Sequence, residues 1–177
     1  MQMEGYTAVT DESRRVRVLC LGNDLVADDG VGIMAAGEIR RRLPRIDVVE
    51  AATSGLYLID DVVETDRLIV VDAVATGDAP AGSVHVLAEG DVTVVPGVSP
   101  HYVGLFETLA LVRELGLDTP TEVTLVCVEV DDMVTIGGDI TDPVRRAIPE
   151  VVDIVAHLIG SGVKSRHMWP DLTPDRA

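Results

Sequence analysis

The strongest constraint on the fold is an apolar run, Val16-Arg17-Val18-Leu19-Cys20-Leu21, that stops at Gly22-Asn23 and gives way after Gly30 to helical spacing. The run reads as a β-strand, the Gly-Asn pair as its turn, and the later pattern as the helix that follows. A strand feeding a helix through a short turn is how a parallel sheet begins. Asp28 and Asp29 then fall just beyond the carboxyl end of the first strand, the edge at which open α/β sheets bind ligands.

The alternation continues along the chain. Gly30–Leu43 has helical spacing, offers Ile33, Met34, Ala36 and Ile39 for burial, carries Arg40, Arg41 and Arg42 in its last turn, and stops at Pro44. Ile46–Ala51 predicts a second strand and Ser54–Glu64 a helix with Ser54 as N-cap. Leu68–Val71 is apolar throughout and predicts a central strand. Ser83–Ala88 predicts a strand nearer an edge, Val103–Leu115 a helix, and Glu122–Val130 another strand. Asp142–Ile159 closes the series as a helix with Pro143 at its start, and Pro149 is expected to kink or interrupt it. The fold class this predicts is α/β: a three-layer, mostly parallel twisted sheet of about five strands flanked by helices. One domain is expected over residues 15–160, between loose tails at 1–14 and 161–177, within a chain of 177 residues.

Charge narrows the function. Fourteen basic against thirty acidic side chains leave a net charge of -16, which repels phosphate backbones and anionic lipid, so neither nucleic acid nor membrane is an expected partner. No apolar run approaches spanning length and the first fifteen residues lack an apolar signal core, so the cytoplasm is the expected address. Cys20 and Cys127 both sit in apolar strands, without a CxxC motif, and read as buried reduced thiols. A phosphate-binding loop, a dinucleotide fingerprint, a G-x-S-x-G elbow and a zincin H-E-x-x-H are all missing, so no organic cofactor is expected.

Three positions converge. Asp28-Asp29 follows the first strand, Asp72 directly follows Leu68-Ile69-Val70-Val71, and His101 stands in Ser99-Pro100-His101-Tyr102 as a helix begins. If the first and third strands are neighbours, two carboxylates and an imidazole meet in one crevice, an O/O/N set that suits a divalent first-row metal with open positions. Each residue also has a plainer role: Asp28 or Asp29 as a helix cap, Asp72 as a turn former, His101 as a structural histidine. His85, His157 and His167 lack an equivalent acidic layout and read as structural or solvated.

These segments resemble the maturation endopeptidases of nickel–iron hydrogenases, over roughly Val16 to Ile159. The resemblance rests on Gly22-Asn23 with Asp28-Asp29-Gly30-Val31-Gly32, on Thr53-Ser54-Gly55, on Val71-Asp72-Ala73 with Gly77, and on Ser99-Pro100-His101 with Gly104-Leu105. It implies an aspartyl-type protease that removes the carboxyl-terminal extension of a nickel-loaded hydrogenase large-subunit precursor. It also implies that Asp29, Asp72 and His101 contact the nickel, which the substrate supplies, and act as the catalytic set. One departure stands out: where relatives have an acidic residue followed by glycines, this chain has Glu50-Ala51-Ala52-Thr53, and alanine does not readily take positive φ.

No activated serine or cysteine is evident, so the expected chemistry is metal-assisted rather than covalent, with Asp28 left open as a general base. A monomer is expected. The competing reading is a non-enzymatic nickel-handling or small-molecule-binding α/β module, which would move a metal without releasing a peptide. A purely structural domain is the third.

Overall fold

The computed structural model describes residues 14–92, 99 and 101–161. The tails expected at 1–14 and 161–177 lie outside them, apart from Arg14 and Ser161, as do Pro100 and His167.

Five strands form one sheet: β1 (Val16–Leu21), β2 (Asp47–Ala51), β3 (Arg67–Val74), β4 (Val84–Ala88) and β5 (Glu122–Glu129), in the order β2-β1-β3-β5-β4. All pairings are parallel except that of β4, which runs antiparallel to β5 at one edge. Helices α1 (Val31–Arg42) and α4 (Asp142–Ser161) cover one face. The single-turn α2 (Ile59–Val62) and α3 (Tyr102–Glu114) cover the other. Side-chain parity divides the core: Val18, Cys20, Ile69, Val71, Val126 and Val128 pack under α1 and α4, and Leu19, Leu21, Leu68, Val70, Leu125 and Cys127 under α2 and α3. The expected three-layer architecture is the one observed.

Boundaries agree closely where apolar runs are long and differ where local chemistry intervenes. β3 continues past the run Leu68–Val71 through Asp72, because Asp72, Ala73 and Val74 pair with Cys127, Val128 and Glu129 of β5. The helix expected over Ser54–Glu64 breaks into a 3-10 turn (Gly55–Leu58) and α2, with Gly55 at φ 69°. Ser54 stands at the N-cap of that turn, but its hydroxyl makes no capping hydrogen bond. α4 runs through Pro149 without interruption. Pro149 and Arg145, whose carbonyl loses its partner there, are both exposed, so water can serve that carbonyl, and the buried stripe Val144, Val151, Val155 and Leu158 holds the helix down.

Gly32 fixes how closely α1 seats on the sheet. A Cβ at that position would stand 1.9 Å from the Leu21 carbonyl oxygen and 3.1 Å from that of Val71. Gly32→Ala must lift the helix off both strands, and is expected to destabilise the fold by about 1–3 kcal/mol, read as a lower Tm by circular dichroism.

Candidate metal centre

In the order β2-β1-β3, β1 feeds α1 on one face while the chain after β3 returns through α3 on the other. The carboxyl ends of β1 and β3 therefore flank a topological switch point, a crevice formed by loops that leave in opposite directions.

Gly22, at φ 146°, turns the chain back so tightly that a Cβ would lie 2.2 Å from the Asp29 carbonyl oxygen. Asn23 holds the turn: its side-chain oxygen accepts the Leu25 N–H at 3.0 Å and its carbonyl the Val26 N–H at 3.0 Å. A 3-10 turn (Asp28–Gly30) follows, and both aspartates are buried. Neither makes a capping hydrogen bond to α1, so the plainer reading of the pair does not hold.

The two carboxylates diverge. Asp28 Oδ1 accepts the Thr141 N–H at 2.7 Å, and its Oδ2 accepts the Thr141 hydroxyl at 3.1 Å and the Asp132 N–H at 3.3 Å. This carboxylate ties the loop after β1 to the loop before α4, and a general-base role for Asp28 finds no support in that geometry. Asp29 points the other way. Its Oδ1 is buried without a hydrogen-bond partner and lies 3.5 Å from His101 Nε2, which is likewise buried and unpartnered.

Asp72 shares the parity of Val70 and Val74 and so faces the α3 layer. Its Oδ1 accepts the Ala73 N–H at 2.9 Å, and its Oδ2 accepts the Ser99 hydroxyl at 2.6 Å. The same Ser99 oxygen accepts the His101 N–H at 3.1 Å, so one hydroxyl fixes both a carboxylate and the residue that starts α3. Asp29, Asp72 and His101 each offer one ligand atom, all within 4.8 Å of one another and all on buried residues.

Burial pushes the Asp72 carboxyl up to about 7; Asp29 adds to the rise, while His101 and the hydrogen bonds from Ser99 and Ala73 oppose it. Burial disfavours the His101 imidazolium, but Asp29 and Asp72 outweigh it and the net shift is upward. A cation among these three groups would satisfy both orphaned atoms and relieve the repulsion between the carboxylates. The O/O/N donor set and the unpartnered Asp29 Oδ1 and His101 Nε2 fit a divalent transition metal with positions left for other ligands.

The remaining candidates stay outside the crevice. His85 lies on β4 and His157 on α4. Cys20 and Cys127 are unpaired and buried, and burial raises both thiols to about 12, so neither is an activated nucleophile. The Tyr102 hydroxyl lies 2.8 Å from Cys127 Sγ, and burial holds its phenol well above the usual range. Ala51 and Ala52 do not take positive φ: among the described residues Glu64 is the one non-glycine that does. The missing glycines therefore impose no strain on this loop.

Two contributions escaped the sequence reading. One is the Ser99 hydroxyl. The other is Glu129, fully buried at the end of β5, whose carboxylate accepts the Thr76 N–H and the Gly77 N–H at 2.8 Å each and the Thr76 hydroxyl at 2.7 Å. It anchors the loop that leaves β3 just after Asp72. The signal was available, since Glu129, like Asp72, is an acid near the carboxyl end of an apolar run.

A family model described as hydrogenase maturation protease matches residues 34–158. The hydrogenase expression/formation protein HupD of Bradyrhizobium diazoefficiens is 31% identical over 156 residues, covering 85% of this chain and 80% of the relative. That of Rhizobium leguminosarum bv. viciae is 33% identical over 153 residues, covering 83% and 75%. Among solved structures, the hydrogenase maturating endopeptidase HybD from Escherichia coli superimposes with a TM-score of 0.72 at 29% identity, covering 84% of this chain and 94% of that one.

Proposed function

Since this chain belongs to the hydrogenase maturation protease family, we propose that it removes the carboxyl-terminal extension of a hydrogenase large-subunit precursor, and that the precursor's own nickel brings the cut into the crevice. The observation that carries this reading is the pair of orphaned atoms, Asp29 Oδ1 and His101 Nε2, buried 3.5 Å apart beside Asp72. Buried polar atoms without partners are costly, and a metal supplied by the substrate completes them only when the right precursor is docked.

Asp29, Asp72 and His101 each give one ligand atom to the substrate nickel. Ser99 keeps the Asp72 carboxylate and the start of α3 in register, so that binding reorganises little. Nickel held there can polarise the scissile carbonyl or lower the pKa of a bound water towards about 7, as metal ions do in other hydrolases. The inert thiols of Cys20 and Cys127 favour direct attack by water over a cysteine acyl-enzyme. No helix among the described residues is long and apolar enough to cross a membrane, in keeping with action in the cytoplasm.

The test is intact mass. Incubation with nickel-loaded precursor is expected to release a carboxyl-terminal peptide, and nickel-free precursor is expected to stay whole. Cleavage of both forms alike would remove nickel from the mechanism. No mass change in a loaded precursor that another protease of the family can process would sink the endopeptidase reading for this chain.

A further inference from the structure

Exposed apolar side chains are not scattered over this molecule. Among the described residues nine large ones are exposed, and six of them stand on the loops and helix start that surround the crevice. Leu25, Val134 and Ile136, at 65, 84 and 83% exposure, lie on the side of α1 and α4; Leu56, Tyr57 and Val103 lie on the side of α2 and α3. At the opposite edge of the sheet stand only Leu115 and Leu117, beyond the end of α3.

The first group is held in place without using its side chains. Val26 and Ile136 form a β-bridge, the Ala27 N–H donates to the Thr135 carbonyl at 3.0 Å, and the Gly137 N–H donates to the Leu25 carbonyl at 2.8 Å. Backbone bonds and the Asp28 tether fix two loops more than a hundred residues apart in sequence, and leave three large apolar groups facing water. Large apolar side chains held out to water on two tethered loops beside a crevice mark an interaction surface. The same two loops, residues 22–30 and 130–142, contain seven aspartates and no Lys, Arg or His. Asp24, Asp131 and Asp139 are exposed on these same loops.

Building on the processing role proposed above, we infer that Leu25, Val134 and Ile136 form a docking face for the folded body of the precursor, at a surface patch that is apolar in its centre and edged with Lys or Arg. A rigid rim suits a folded partner because little ordering is required on binding. The acids steer the encounter and the apolar centre supplies the hold.

Leu25→Ser/Val134→Ser/Ile136→Ser is expected to raise KM for nickel-loaded precursor at least tenfold, with kcat within about twofold of the parent. Leu115→Ser/Leu117→Ser, at the far edge, is expected to change neither. Inhibition of the parent by a synthetic peptide of the extension alone should be as strong as inhibition of the triple variant. An unchanged KM in the triple variant, with Tm and circular dichroism like the parent's, would overturn the docking face and leave the processing role standing. Equal weakening towards the peptide would assign the face to the extension and overturn the choice of the folded body. Ile136→Ser alone, expected to raise KM about threefold, keeps the test open if the triple variant does not fold. Failure of the parent to cut the precursor would instead overturn the processing role, and this inference with it.

Discussion

Asp72→Asn is expected to reduce processing of the nickel-loaded precursor by on the order of 10³-fold while making the metal-free protein more stable above neutral pH. The first half follows from removing one of three donors from the crevice, a loss comparable to deleting a preorganised charge-stabilising group elsewhere. The second half follows from burial. In the folded chain the Asp72 carboxyl titrates at about 7, against an ordinary value of 3.8 in the unfolded chain. Between those values the folded state keeps a proton that the unfolded state has lost, so stability falls as pH rises through the window. The contribution is complete below the unfolded value and gone above about 7. His101, raised as well, works in the same direction: its contribution is present below its ordinary value and is lost as pH rises through the higher folded one. Asparagine carries no charge to bury, so the variant escapes the Asp72 loss. At pH 8 its Tm should exceed the parent's by about 3 °C or more, the shift that ~1 kcal/mol makes in a chain of this size. At pH 3, below the unfolded value, Asp72 is protonated in both states of the parent and the two should melt together. Thermal scans at both pH values check this, and a variant less stable at pH 8 would mean that the Asp72 charge is already compensated without metal.

That opposition between stability and function explains what the sequence could and could not disclose. Apolar runs report burial, so β1 was legible to the residue and the order of strands and helices followed from alternation. The end of β3 was not, because Asp72 is a buried acid inside a strand. It is tolerated there through the nearby His101, the hydroxyl of Ser99, twenty-seven positions along the chain, and the N–H of Ala73. No local pattern encodes such compensation. Glu129 is the same case, a buried acid held by Thr76 and Gly77. The helix expected at Ser54 failed for a different reason. Gly55 takes a left-handed conformation and lies so close to α3 that a Cβ on Gly104 would come within 2.4 Å of the Gly55 nitrogen. Tertiary approach there outweighs helical spacing. That the Asp28-Asp29 pair and Asp72 would meet was legible because strand ends in a parallel sheet share an edge, whereas the choice of Asp29 over Asp28 came from the family resemblance.

What separates Asp28 from Asp29 is settled far from both, by the loop that leads into α4, and the two should therefore fail in opposite ways. Asp28→Ala removes the acceptor for the Thr141 N–H, the Thr141 hydroxyl and the Asp132 N–H, in a place where Asp28 is fully buried. Three donors left short of partners cost about 1–3 kcal/mol each, less whatever entering water restores, so a net loss of about 4 kcal/mol is expected. In thermal unfolding that is a fall of roughly 8–16 °C. Faster amide exchange should be concentrated at Asp132, Gly137 and Thr141, whose N–H groups hold the two loops together. Asp29→Asn does the reverse. Asp29 Oδ1 has no hydrogen bond to lose, but its charge favours the His101 imidazolium, so at alkaline pH, where the imidazole is neutral, the Tm should stay within about 2 °C of the parent or rise. Processing should fall by on the order of 10³-fold, because the donor that faces His101 is gone. If Asp28→Ala kept its Tm, the tether between residues 28 and 141 would not be a stabilising contact. If Asp29→Asn processed precursor at the parent's rate, Asp29 would not belong to the centre, and the crevice would have to work through Asp72 and His101 alone.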